Sequence, residues 1–290
     1  MKTTQNSKNY NNKVVVIGGG FVGSAIFHDL IVNRYFNEYG LIDINEKLAQ
    51  GVVADLDDGY GKNNFSSNLT IKVSDYKDVG NANIVVITAG RNQRPGETRT
   101  ELLKDNVKIL TAIIENINKS GFNGIMIIVS NPNDVMTHIA RKISNLPGEQ
   151  IFGSGTVLDS FRAKQMIIGE HGDTSLLLKN IGKDTEAVEK QVRNRAYEII
   201  QNKGNTCYGI AAAVSYIIKT ILSDKNENNN VLPLSVKYDD ISISVPVVLD
   251  IKNDKISIKT QLLNDMDKTQ KNKFNHSCET VKTNIKSLEN

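Results

Sequence analysis

The chain has 290 residues, 39% of them hydrophobic and 23% charged, with a formal net charge of +3. That length suits one large or two modest domains, and the small, scattered positive charge excludes a concentrated basic face for nucleic acid. Two cysteines, Cys207 and Cys278, exclude a disulfide framework, and no apolar run reaches membrane-spanning length. Residues 1–12 are polar and Asn-rich and lack the apolar core of a signal peptide, so they read as a disordered tail on a cytoplasmic protein with no membrane partner.

Lys13–Ile17 is an apolar β-branched run stopping at Gly18, the pattern of a buried strand. Helical spacing covers Phe21–Asn33, a short strand Tyr39–Asp43, and a helix Lys47–Asp58. Leu69–Val73 and Ile84–Thr88 read as strands, the second ending at Ala89-Gly90. Thr98–Lys119 reads as a long amphipathic helix with room for one break. Gly124–Val129 is a further buried strand ending at Ser130-Asn131-Pro132, and Asp134–Ser144 a helix. Strands alternating with helices predict a doubly wound parallel sheet, an α/β Rossmann unit over residues 13–152. The pattern changes near Pro147–Gly153. Thr185–Lys203 and Gly209–Ser223 read as long helices. Val231–Val236, Ile241–Leu249 and Lys255–Lys259 read as antiparallel strands. Asp265–Leu288 reads as a closing helix interrupted near Asn275. Residues 153–290 are therefore expected to form an α+β substrate domain.

Gly18-Gly19-Gly20-Phe21-Val22-Gly23 satisfies G-x-G-x-x-G between a strand and a helix. Gly18 permits the tight turn, Gly20 lets a pyrophosphate approach the backbone, and Gly23 permits close helix–sheet packing, with helix N–H groups free for the anion. Asp43, twenty residues beyond Gly23 at the end of the second strand, can accept from both ribose hydroxyls and repels a 2′-phosphate. NAD is thus favoured over NADP, with FAD as the alternative sharing the fingerprint.

Downstream, Asp159, Arg162 and His171 lie close together in sequence. An imidazole exchanges a proton near neutral pH, a carboxylate fixes its tautomer, and a guanidinium fork matches a carboxylate. Taken alone, Asp159 is equally a helix N-cap and Asp159–Arg162 an exposed pair on one helix face. His28, His138 and His276 have no partner pattern, and nothing has metal-ligand spacing.

With these motifs in order, the chain resembles the NAD-dependent L-lactate/L-malate dehydrogenase family, closer to its lactate members. The matching segments are Val14–Gly23, Ile42–Asp43, Thr88–Gly90, Gln93–Arg99, Ser130–Pro132, Gly153–Arg162, Gly169–Asp173 and Thr206–Gly209. The resemblance implies a Rossmann domain, a substrate domain, and reversible reduction of a 2-keto acid to the L-2-hydroxy acid. It implies His171 as general acid/base, Asp159 as its partner, Arg162 on the substrate carboxylate and Arg99 polarising the reacting carbonyl. Gln93 would sit at the specificity position, where a neutral amide suits pyruvate's methyl; Asn131 and Thr206 would also line the substrate. Gly18, Gly20, Phe21, Val22, Gly23, Asp43, Thr88, Ala89, Gly90 and Asn131 would contact the cofactor. A cis peptide before Pro132 and a homodimer or homotetramer are further implications.

Only Ala163–Glu170 separate Arg162 from His171, fewer residues than the family carries, and a second shortening lies between Asp173 and Thr206. Nine extended steps still span about 30 Å. The family's fructose 1,6-bisphosphate site uses basic residues of the missing stretch; Lys164 is a candidate remnant of one, but its partner histidine has no counterpart here, so no such activation is expected. Alternatives are a malate or branched 2-hydroxyacid dehydrogenase, or an NAD-binding relative with weak or no activity.

Overall fold

The computed structural model describes residues 12–61, 68–91, 96–223, 231–250 and 255–288. The expected N-terminal tail up to residue 11 and Gln93 lie outside them.

The first strand, β1 (Lys13–Ile17), is wholly buried because every residue but Lys13 is apolar and helices cover both faces of the sheet. Helix α1 (Phe21–Val32), β2 (Glu38–Ile42), α2 (Glu46–Tyr60), β3 (Thr70–Val73), the one-turn α3 (Tyr76–Val79) and β4 (Ile84–Ile87) follow. Helix α4 (Arg99–Lys119) opens on a capping box, Thr98 with Glu101, and runs unbroken. Then come β5 (Ile125–Ile128), α5 (Asn133–Ile143) and β6 (Ile151–Gly153). These six strands are parallel in the order β3-β2-β1-β4-β5-β6, the doubly wound order whose ligand crevice lies at the carboxyl ends of β1 and β4.

The later half comprises α6 (Val157–Ala163), β7 (Ile167–Ile168), β8 (Leu176–Leu177), α7 (Thr185–Lys203), α8 (Tyr208–Leu222), β9 (Val231–Tyr238), β10 (Ile241–Asp250), β11 (Lys255–Ile258), α9 (Thr260–Asn264) and α10 (Lys268–Lys286). Strands β9, β10 and β11 do not form a separate sheet. They continue the parallel one antiparallel, through the rung Gly153↔Ser235, to give nine strands. The closing helix differs from the sequence reading. It begins at Lys268, capped by Asp267 with Gln270, and passes through Asn275 without interruption, because Phe274, Ser277, Cys278 and Val281 bury one continuous face.

Alternation along β1 sorts the core into two layers. Val14 and Val16 face α1 and α8; Val15 and Ile17 face the layer containing Leu110, Ile114 and Met136. Helix α8 packs on α1, so the later half also reaches back onto the first helix.

The shortened segment is closed locally. Helix α6 ends with Lys164 in the left-handed region (φ 54) and with Gln165 N–H donating to Ser160 O (3.2 Å). Two hydroxyls then strap β7 to α6: Thr156 Oγ1 donates to Ile167 O (2.6 Å) and Ser160 Oγ accepts from Ile167 N (2.9 Å). Side chains complete β8, which among the described residues pairs with β7 alone. Glu189 accepts from Leu177 N (3.0 Å), and Gln270 Nε2 donates to Leu177 O and Leu178 O. Buried backbone groups are thereby paired without the missing elements.

Candidate active site

The glycine turn closes where β1 ends. Gly18 has φ +108, and a Cβ there would lie 2.6 Å from Thr88 Oγ1. Thr88 itself donates to Gly18 O (3.0 Å) and Ile17 O (3.2 Å), and Ala89 N–H donates to Ile17 O, so Thr88 and Ala89 brace the turn from β4. A Cβ on Gly23 would overlap the Gly18 carbonyl oxygen, whereas one on Gly20 would meet nothing. That open space lies at the N-terminus of α1, where no side chain caps the helix, so its N–H groups are available to an anion. Phe21 is exposed, Val22 packs against the core, and Gly90 lies exposed past β4. Asp43 accepts from Gly19 N (2.5 Å) and Asn45 N (2.8 Å), which fixes its carboxylate beside the turn. The cradle fits a dinucleotide with free ribose hydroxyls.

Asp159 and Arg162 occupy one face of α6. Arg162 Nη1 donates to Asp159 Oδ1 at 3.1 Å, and His171 Nδ1 meets Asp159 Oδ2 at 2.6 Å. Their side chains are 7% exposed for Asp159, 15% for Arg162 and 25% for His171, so the imidazole keeps a path to solvent. Burial alone would pull the His171 pKa down. The Asp159 carboxylate, by charge and hydrogen bond, outweighs burial, Asp134 adds to it and Arg162 opposes it, and His171 is raised to about 9. Burial would raise Asp159, but His171 and Arg162 hold it below its usual range.

Asp159, Arg162 and His171 are therefore brought together despite the short segment between Arg162 and His171. The other expected residues are placed less directly. Asn131 is exposed at the carboxyl end of β5, ahead of a cis bond to Pro132. Thr206 is half-buried between α7 and α8. Arg99 opens α4, and its side chain lies outside the described residues. Arg91, which flanks Gln93 in sequence, commits its guanidinium to Glu97 and Asp105.

Sequence reasoning missed Asp134. It lies in the first turn of α5 and is 2% exposed, and its Oδ2 accepts the His171 backbone N–H at 2.7 Å. The available signal was an acid soon after Asn-Pro, which reads equally as a helix-start carboxylate.

Comparison with known proteins agrees with this geometry. Residues 12–153 match the lactate/malate dehydrogenase NAD-binding domain, and residues 154–290 match the lactate/malate dehydrogenase α/β C-terminal domain. The L-lactate dehydrogenase of Bacillus pumilus is 37% identical over 308 aligned positions, taking in 93% of this chain and 96% of that protein. A lactate dehydrogenase from a deep-sea metagenome of the Medee basin has a similar structure, with TM-score 0.87, 34% identity, and coverage of 97% of this chain and 100% of that one. The malate dehydrogenase of Archaeoglobus fulgidus, solved with NADH, gives TM-score 0.85 at 29% identity, covering 96% and 100%. With the glycine cradle in the matched NAD-binding half and the His–Asp–Arg cluster in the other, the chain belongs to the lactate/malate dehydrogenase family of NAD-dependent oxidoreductases.

Proposed function

We propose that this enzyme reversibly reduces pyruvate, or a similar small 2-keto acid, to the L-2-hydroxy acid. One observation carries the reading: a single carboxylate, Asp159, holds an imidazole at 2.6 Å and a guanidinium at 3.1 Å. NADH, when bound, supplies the hydride and its electron pair to C2. Arg162 takes the substrate carboxylate on its remaining donors. Asp159 holds Nδ1–H, which leaves Nε2 of His171 to give its proton to the C2 oxygen. The imidazole, neutral after transfer, regains a proton from solvent through its exposed edge. Arg99 polarises the carbonyl, Asn131 and Thr206 line the site, and Gln93 meets the substrate's side chain.

A monocarboxylate is favoured over a dicarboxylate. The Arg91 guanidinium is engaged by Glu97 and Asp105, and Gln93 is neutral. The similar L-lactate dehydrogenases point the same way. A homo-oligomer is part of the proposal: Phe161 and Tyr216 are 43% and 39% exposed and meet edge-to-face at 5.5 Å across α6 and α8, a surface suited to a second copy. Sedimentation of the purified protein tests this; a monomer at every concentration overturns it.

The direct test of function is NADH oxidation with pyruvate, oxaloacetate and a branched keto acid side by side. Pyruvate is expected to turn over fastest, and His171→Asn to abolish turnover with NADH affinity nearly unchanged. Full activity in that variant removes His171 from the acid/base role.

A further inference from the structure

His171 is gripped by two carboxylates from two helices. Asp159, on α6, holds the ring; Asp134, on α5, holds the backbone N–H at 2.7 Å. Gly169 exchanges backbone hydrogen bonds with Ser244 (2.9 and 3.3 Å), and Ser244 Oγ lies 3.5 Å from Asp134 Oδ1. A closed circuit therefore runs Gly169–Ser244–Asp134–His171, across a segment too short to be held by a long strand. Strand β7 ends at Ile168, so little other regular structure fixes the height of His171 above the sheet.

We propose that Asp134 is a positioning residue for the reaction: it sets where the His171 imidazole stands, and its negative charge helps keep that imidazole protonated between turnovers. The proposal rests on the reading of His171 as the acid/base. A backbone N–H needs only an acceptor, and a neutral amide oxygen would serve. A buried carboxylate instead carries a desolvation cost. Burial indeed pushes Asp134 up to about 6, against the opposing pull of the approaching Ser235 hydroxyl, the His171 N–H and the His171 charge, with Glu170 adding to the rise. A charge kept at that cost has a use where a positive charge must be held, and the imidazolium is that charge. The N-terminus of α5 supports the anion as well.

The groups facing this pair are Asp159 and Arg162 from α6, Glu170 beside His171, Cys278 from α10, and the hydroxyls of Ser235 on β9 and Ser244 on β10. The Cys278 thiol is pushed up to about 12 by burial and stays neutral. Asp159 and, after it, Asp134 draw the His171 value up.

Asp134→Asn keeps an acceptor oxygen and removes the charge. It is expected to lower the His171 pKa, seen by NMR of the protein labelled with 15N-histidine, and to move the high-pH limb of keto acid reduction the same way. With the His171 N–H still held, kcat at low pH should stay near the parent's and fall earlier as pH rises, whereas Asp134→Ala, which drops that N–H, should lower kcat roughly ten- to a hundredfold at every pH, the cost of a misplacement near one ångström, with the KM for NADH unchanged. The unsubstituted protein gives an independent reading: its His171 backbone amide should titrate near pH 6, with Asp134. An Asp134→Asn protein whose His171 pKa and pH profile match the parent's overturns the proposal. So does a His171 amide that stays flat from acid pH up to the titration of its own ring, a result that stands even where the variant does not fold. The NMR measurements need no turnover, so failure of the acid/base reading itself would appear separately, as an active His171→Asn protein.

Discussion

Oδ2 of Asp159 lies 2.6 Å from Nδ1 of His171, and the same carboxylate takes Arg162 on its other oxygen. On the proposed reading, reduction consumes a proton from the imidazole, so the rate of keto acid reduction should fall as pH rises through the raised His171 value of about 9. Oxidation of the hydroxy acid needs the neutral ring and should rise over the same interval. In Asp159→Asn the attraction is gone, and both limbs should move to lower pH. Initial rates in each direction against pH decide it; limbs that stay in place would mean Asp159 does not control the ring. The same shift bears on folding. Because the native value lies above the unfolded one, the stabilisation is complete below an ordinary histidine pKa of about 6.5 and declines as pH rises to about 9. The thermal midpoint should drop more over that interval in the parent than in His171→Asn.

Arg162→Lys preserves charge but replaces a planar fork with a point charge. The KM for the keto acid should rise roughly tenfold or more, the worth of one charge-assisted hydrogen bond of about 1.5 kcal/mol. Steady-state kinetics with pyruvate test this, and an unchanged KM would place the substrate carboxylate elsewhere.

Two glycines of the cradle should separate folding from binding. Alanine at Gly23 would drive a methyl into the Gly18 carbonyl, while alanine at Gly20 would project into open space. Gly23→Ala should lose about 1–3 kcal/mol of stability, as overpacked sites do. Gly20→Ala should unfold like the parent yet bind NADH weakly, because the methyl occupies the approach of the pyrophosphate. Equal NADH affinity in Gly20→Ala and the parent would move the dinucleotide off this turn.

Lys164 holds φ 54 at the end of α6, a conformation that costs a side-chain-bearing residue about 1–2 kcal/mol. Lys164→Gly should stabilise the protein by about 0.5–1 kcal/mol once glycine's greater freedom in the unfolded chain is counted. Urea unfolding would register it as a higher midpoint at unchanged slope.

Only Lys164, Gln165 and Met166 lie between the end of α6 at Ala163 and the start of β7 at Ile167, which supports the expectation that no sugar-phosphate site forms there. Fructose 1,6-bisphosphate should therefore leave the pyruvate saturation curve where it is. A leftward shift on its addition would locate a phosphate site that this segment does not provide.

The Rossmann half was legible because its signals are local. A β-branched run followed by glycines at fixed spacing permits few structures, and β1, the turn and α1 lie where those residues put them. Asp159, Arg162 and His171 were legible as a motif, and their closeness was the uncertain part. It depends on the hydroxyls of Thr156 and Ser160 closing onto Ile167, contacts no periodicity announces. Strands β7 and β8 have two residues each, too few for alternation to mark, and partners distant in sequence define them. Asparagine is a poor helix former, so Asn275 resembles a break in the closing helix; burial of Phe274 and Cys278 overrides that local preference. Asp134 was hidden for a different reason: an acid in a first helical turn has an ordinary explanation, and its contact with His171 spans 37 residues.

The rung between Gly153 and Ser235 makes the order of synthesis matter. The first six strands, ending with β6, are complete once Gly153 has emerged, yet β9, which covers β6, begins only at Val231. Until then Ile151 and Phe152, fully buried in the finished molecule, sit on an open strand margin that any nascent neighbour could extend. A fragment ending at Gly153 should consequently associate with itself rather than survive as a separate dinucleotide-binding module, and growing chains crowded on one messenger should meet the same hazard until their last fifth is made.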